Sequence, residues 1–561
     1  MRQQDSFGTT AVWLAAFVGI LMGGGSVKAD FVFGEPVNLG PTINTSSGDT
    51  PSFFSPDGLE MYFDSNRSSG HGGWDIWVTT RETDNDGWGA PVNLGSPVNT
   101  ARHDAGTYIS ADGLEFYFQC YNRSGGYGGW DIWITTRATE EDAWDIPQNL
   151  GPLVNSSEWE GMPWLSADGL ELYFYARNRA SGYGDYDIWV SRRVTKDDPW
   201  REPTNLGSIV NSSACEIGPA LSPDGLLLFF SEDIVGPIRS GGFGGSDMWV
   251  SRRASASALW GKPTNLGSIV NSPSHDCGPR PSPDGATLYF SSERPGGFGG
   301  SYGDIYEAPI IAIVDFNGDG KVDGTEILAM ANRWGTSDSV CDIGTFAWGD
   351  GIVDVEDLKV LAEYIGKPLD DPTLVAHWPL DEADGFVAAD CAGDCDGVLL
   401  KPLWQPDAGH VGGALELDGA SMVMAPLVVD PAIGPFSVLA WVKGGSPGQV
   451  IISQKAGANW LLLDPATGAL MTELKSGGRS GTVLYSDAII ADGTWHRVAF
   501  AWDGSTRSLY VDDVLVAEDA QNELASSFGG LNIGAGHNMA PDTYWTGLID
   551  DVRIYNRAVR P

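Results

Sequence analysis

The chain has 561 residues, 42% of them hydrophobic, which is enough for three or more domains that each bury a core. Its formal charge of -41 and pI near 4.2 argue against nucleic acid or an anionic membrane surface as partner, since both need basic patches, and favour divalent cations.

In residues 1–29 a polar start with Arg2 leads into an apolar run from Ala11 to Met22 and a small-residue exit at Val27-Lys28-Ala29. This reads as a secretory signal peptide cut before Asp30, so a secreted, extracellular or periplasmic location is expected. No Cys follows the run, which argues against a lipid anchor, and no other stretch reaches the roughly 18–20 apolar residues of a membrane span.

From residue 31 one pattern is written five times. A Ser-Pro/Ala-Asp-Gly turn recurs at Asp57, Asp112, Asp168, Asp224 and Asp284, at intervals of about 56 residues and finally 60. It joins a short run such as Ala220-Leu221-Ser222 to an alternating one such as Leu226-Leu227-Leu228-Phe229-Phe230, which is hairpin chemistry. A Gly-rich loop follows, then a third strand opening at Asp75, Asp131, Asp187, Asp247 or Asp304, and a Trp-x-x-Pro-x-Asn-Leu-Gly run closes the unit. Four short strands at this period predict a propeller blade. The last copy stops after its third strand, and Phe33-Gly34-Glu35-Pro36-Val37-Asn38-Leu39-Gly40 supplies the missing fourth from the other end, so residues 31–309 read as a closed five-bladed β-propeller. These motifs resemble the WD-repeat-like, TolB-type repeats of bacterial secreted proteins, a scaffold with many uses.

One face of such a ring collects chemistry. Five residues beyond Asn44, Asn99, Asn155, Asn211 and Asn271 stand Asp49, Asp104, Glu160, Glu216 and Asp276, which are expected to ring one mouth of the channel. Arg67, Arg123, Arg179 and Arg294 end the second strands at that face, and the loops carry His71, Tyr127, Tyr183, Phe243 and Phe298. Such a set suits a sugar or a cation, but matched acids and arginines also make a structural ion-pair ring, and that reading is preferred, with the loop aromatics packing on the next blade. The fourth repeat has Ser231-Glu232-Asp233 in place of the Arg, so Glu216 is expected to be the unpaired acid. A catalytic mouth would have to use Glu160, Glu216 and Asp276. The symmetry of the repeats and the scattered histidines lean away from an enzyme.

Next, Asp315, Asn317, Asp319, Lys321 through its carbonyl, Asp323 and Glu326 fall at positions 1, 3, 5, 7, 9 and 12 of a loop with Gly320 at 6, the spacing that wraps Ca2+. A helix is predicted from Ile327 to Trp334. A second half contains Asp350, Asp354 and Asp357 and leads into a helix through Tyr364. Counting back from Asp357 as position 12 places Phe346 and Trp348 where oxygens belong. Either Asp342 reaches in from a longer loop, or this second site binds weakly or not at all. Residues 313–368 resemble a dockerin, the α-helical EF-hand pair of polysaccharide-degrading assemblies, which implies Ca2+ as cofactor and a cohesin-type partner.

From residue 374 short alternating strands divided by Gly, Asp and Pro turns predict a β-sandwich. His377-Trp378-Pro379-Leu380-Asp381-Glu382, Phe436-Ser437-Val438-Leu439-Ala440-Trp441-Val442 and Gly547-Leu548-Ile549-Asp550-Asp551-Val552-Arg553 are among its segments. Over residues 374–559 these resemble the laminin-G-like jellyroll of the concanavalin A-like lectin fold, which implies loops that bind glycans or proteins, sometimes with Ca2+. Asp381, Asp418 and Asp551 are candidate metal ligands there, although Asp-Gly turns use aspartate for backbone reasons alone. Of the six cysteines, Cys391 and Cys395 are spaced for a local disulfide, Cys215 and Cys277 for one between blades, and Cys120 and Cys341 have no evident mates.

The expected protein is mainly β: secreted, calcium-binding and modular, taking carbohydrate or extracellular proteins as partners, in the company of polysaccharide degradation. The competing functions are a glycoside hydrolase or lyase acting at the propeller mouth, and a structural or adhesive surface protein.

Overall fold

The computed structural model describes residues 31–561 except 85, 234–235, 301, 339 and 478–480. The signal-peptide assignment lies outside the described residues. Five antiparallel sheets form the propeller. In the first, Asp49–Phe54 pairs with Glu60–Ser65, then Asp75–Thr80, then Val92–Asn93, and three more sheets repeat this order. The fifth contains Asp276–Pro281, Thr287–Ser292 and Asp304–Ala312, and its outer edge is supplied by Phe31–Phe33 and Val37–Asn38 from the start of the chain. The innermost strands contact one another in turn around the ring, the fifth returning to the first.

The repeated residues have backbone reasons. Ser55 donates its hydroxyl to Asp57, whose Oδ1 also accepts the Leu59 amide at 3.1 Å, and Gly58 takes φ +70, so the turn uses all three residue types. Each repeat Asn clasps the third strand of the blade before it. Asn99 accepts from the Ile76 amide at 3.0 Å and donates to the Ile76 carbonyl at 2.9 Å and to Asn93 at 2.9 Å, and the other four copies do the same. The ring interior is filled by buried polar groups: Arg280 donates to the carbonyls of Ser52 at 2.9 Å and Gly218 at 3.0 Å, and Asp64 accepts from Ser52 at 2.7 Å.

Two helices, Gly324–Asn332 and Val355–Tyr364, follow, each opened by an Asp capping box at Asp323 and Asp354. They enclose a small core of Val314, Phe316, Val322, Met330, Cys341, Ile343, Val353 and Leu361. The C-terminal domain is a sandwich of two antiparallel sheets, begun by Leu374–Trp378 against Thr546–Tyr555 and filled by Trp378, Phe436, Trp460, Phe500 and Trp545. The six cysteines are free thiols, so neither expected disulfide is present, and burial pushes the Cys215 and Cys277 thiols up to about 11 and about 12.

Candidate functional site

The inner carboxylates meet the repeat arginines. Asp49 pairs with Arg67 at 2.6 Å and Asp276 with Arg294 at 3.0 Å, while Asp104–Arg123 and Glu160–Arg179 are looser, both 3.9 Å. All five acids are fully buried and accept the amide four residues upstream, as Asp49 does from Thr45 at 2.8 Å. The fourth repeat corrects the expectation that Glu216 is unpaired. Arg239 returns from a longer loop, bonds Glu216 at 2.7 Å and the Val210 carbonyl at 2.6 Å, and also engages Glu232 through its amide. Burial, opposed by the Ser156 bonds and Arg179, lifts the Glu160 carboxyl to about 7. The third-strand aspartates tie their own loops: Asp131 accepts the Tyr127 amide at 2.9 Å, and Asp187 that of Tyr183 at 2.8 Å.

The positions beside these shared residues are where the blades differ, and they build an asymmetric mouth. Aromatic rings follow one another from blade to blade. Tyr302 lies 5.6 Å from Trp74, whose amide donates to His103 Nδ1 at 3.1 Å. His103 lies 6.1 Å from Trp130, Trp130 5.4 Å from Tyr121, Tyr121 6.3 Å from Trp159, and Trp159 6.4 Å from Tyr186. All are half-buried. Arg177 stacks over Trp159 at 4.7 Å and Tyr186 at 5.5 Å and pairs with Asp185 at 3.3 Å. Where Tyr121 and Arg177 stand, blades four and five carry Asp233 and Glu293. Glu293 accepts the Tyr302 amide at 3.1 Å, and burial and then the charge of Asp233 hold the Tyr302 phenol above its ordinary range. Outside the arc, Tyr127 and Tyr183 are each 52% exposed and Phe298 46%, while Phe243 is half-buried. None of the arc had been picked out from sequence, because each residue occupies a position that the repeat leaves variable.

The first loop of the helical module buries Asp315 and Glu326, while Asp319 is half-buried and Asp323 is exposed and caps the helix. Asp315 accepts the amides of Gly318 at 2.7 Å and Gly320 at 2.8 Å, Asp319 accepts from Lys321 at 2.9 Å, and Glu326 Oε2 accepts from Asp323 at 2.9 Å. Glu326 Oε1 is buried with no hydrogen-bond partner, and burial raises this carboxyl to about 7. In the second loop Asp342 does reach in, accepting from Asp350 at 2.9 Å and Gly351 at 2.8 Å, as Asp315 does in the first. Its position 12 is closed, however. Asp357 Oδ2 accepts from Asp354, and its Oδ1 takes the amides of Ile343 at 2.5 Å and Gly344 at 2.6 Å. The intervening Phe346 and Trp348 leave the loop, stack at 5.0 Å, and wedge against Phe31 on the turn face of the propeller, with Trp348 Nε1 donating to Asp224 at 2.9 Å. Among the described residues no three Asp, Glu, His or Cys side chains gather closely enough to hold a metal.

In the sandwich the expected acids do not converge. Asp418 caps its own turn through Ala420 and Ser421, Asp551 pairs with His377 at 2.7 Å and Arg553 at 3.0 Å, and Asp381 accepts from Gly413. The buried acid is the neighbour Asp550, which accepts from His410 and Val411 and which burial lifts to about 7.

Residues 418–561 match the family model described as the concanavalin A-like lectin/glucanases superfamily. No curated protein matches the chain. Among solved structures, a Trypanosoma rangeli sialidase in complex with the inhibitor DANA is similar at 12% identity and TM-score 0.42, over 92% of each chain. Domain 4 of AbnA, a GH43 extracellular arabinanase from Geobacillus stearothermophilus in complex with arabinotriose, is similar at 22% identity and TM-score 0.27, over 33% of this chain and 94% of that one. No helix among the described residues is long and apolar enough to cross a membrane.

Proposed function

We propose that this is an exported carbohydrate-binding protein whose propeller mouth receives a sugar chain on the aromatic arc from Tyr302 to Tyr186. The observation that supports the reading is the run of half-buried rings from Tyr302 to Tyr186, a surface on which sugar C–H faces stack. Charge narrows the ligand. The five repeat guanidiniums are turned inward onto carboxylates and carbonyls, Arg177 is paired with Asp185, and Asp233 and Glu293 border the arc, so uncharged glycans fit better than uronic ones. A hydrolase would need two accessible carboxylates roughly 5–9.5 Å apart, whereas the inner acids are fully buried behind arginines, which favours binding over cleavage.

The test is titration of the full chain with neutral and uronic hexasaccharides. Trp159→Ala and Tyr186→Ala are each expected to weaken neutral binding about fivefold, as for one aromatic stack of about 1 kcal/mol. Unchanged affinity in both variants would remove the mouth as the site.

In the same reading the dockerin-like first loop is the calcium site. Its donor set of three aspartates, an asparagine, a backbone carbonyl and a glutamate suits a hard cation, and the partnerless Glu326 Oε1 is the oxygen such an ion would take. The second loop has that oxygen already bonded to backbone and is not assigned a metal.

A further inference from the structure

The first loop is held from outside by the jellyroll. Asp315 and Asn317 are buried within it, and its carbonyls face out onto three arginines and a tyrosine. Arg497 Nη2 donates to the carbonyls of Asn317 and Gly318, both at 3.0 Å, Tyr555 donates to Gly318 at 3.1 Å, and Arg557 Nη2 donates to Asp315 at 2.9 Å. Arg553 completes the set at 3.5 Å from the Gly318 carbonyl. The fit is close enough to need glycine. Gly318 and Gly320 have φ of +71 and +78, and a Cβ on them would lie 2.8 Å from Val559 and 2.6 Å from the Arg553 guanidinium. These guanidiniums make their ion pairs elsewhere: Arg497 with Asp513 at 2.9 Å, Arg553 with Asp551 at 3.0 Å and Arg557 with Asp371 at 3.2 Å. They hold the loop through its backbone carbonyls.

We infer that Ca2+ in the first loop fastens the jellyroll to the rest of the chain, so that the module serves this chain's own domains and not an external docking partner. The inference rests on the calcium reading above. One backbone stretch, residues 315–320, supplies the metal pocket on its inner side and the jellyroll contact on its outer side. Pulling the ligands apart moves the carbonyls out of reach of the arginines, so metal affinity and docking rise or fall together, by the same factor in both directions. The module's other loop is already committed within the chain, through Trp348 to the propeller.

The experiment measures Ca2+ affinity calorimetrically, radius of gyration by small-angle scattering, and amide exchange at residues 315–320 and 553–559. It uses the full chain with Ca2+ or EGTA, alongside Glu326→Gln and the double variant Arg497→Ala/Arg557→Ala. EGTA is expected to enlarge the wild type and speed exchange in both segments, and Glu326→Gln is expected to look like the EGTA form even with Ca2+ present. The arginine variant should bind Ca2+ about tenfold more weakly, within the usual range of coupling between sites. Equal size and exchange with and without bound Ca2+, or wild-type affinity in the arginine variant, would overturn the inference. The same Ca2+ stoichiometry in wild type and Glu326→Gln would instead remove the calcium reading beneath it. The comparison of wild type with and without EGTA stands even if the arginine variant fails to fold.

Discussion

Glu160 and Glu232 are buried acids raised to about 7 from an ordinary 4.5, in both cases chiefly by burial. Between those values the folded chain keeps protons that the unfolded chain has released. Their stabilising contribution is therefore full below pH 4.5 and is lost as pH rises through 7. The melting temperature is expected to fall between pH 5 and pH 8, and Glu160→Gln/Glu232→Gln should flatten that slope in thermal melts followed by tryptophan fluorescence. Arg239→Ala strands Glu216 in the interior and should cost roughly 3–5 kcal/mol in denaturant unfolding, since the remaining charge keeps its desolvation cost without a partner. At this scale the sequence was legible where residues repeat: the Asp-Gly turn and the acid–arginine ring stand where spacing put them. Arg239 was not, because a longer loop carries the guanidinium out of register while delivering it to the same place. The aromatic arc was illegible for the opposite reason, since a pattern of shared positions hides the positions that vary.

Among elements, the second loop shows what a misfit in a motif can mean. Phe346 and Trp348 stand where ligand oxygens were sought, and the structure gives them another task, burial against Phe31 and the turn of the fourth blade. Spacing revealed the departure. Only tertiary packing reveals where the residues go. Trp348→Ala is expected to cost about 3–5 kcal/mol, the usual penalty for emptying a buried Trp site, and to speed proteolysis between residues 312 and 345 while the propeller stays folded. The jellyroll was likewise legible as a fold from alternation and turns, but its acids were not, because a bulge at Asp550 and Asp551 breaks the alternation between the core residues Ile549 and Val552, and sequence does not mark where a strand bulges.

For the whole molecule, the two docked faces leave one mouth open. The helical module touches the turn face of the propeller through Phe346 and Trp348, and the aromatic arc lies at the opposite ends of the strands. Removing residues 31–40 takes the outer strand from the fifth blade, and a lower, less cooperative melt is expected by calorimetry. That strand also sets a timetable. Phe31–Phe33 pairs with Ile310 through Ala312, so the first segment of the domain to be made finds its place only after the last has emerged. Until then the nascent chain holds four blades with an unsealed gap and a bare apolar edge, the arrangement most open to mispairing with a neighbouring chain. The yield of folded protein would then be governed by how long that gap waits, and a holdase that shields one short strand would do more for it than any improvement to the core.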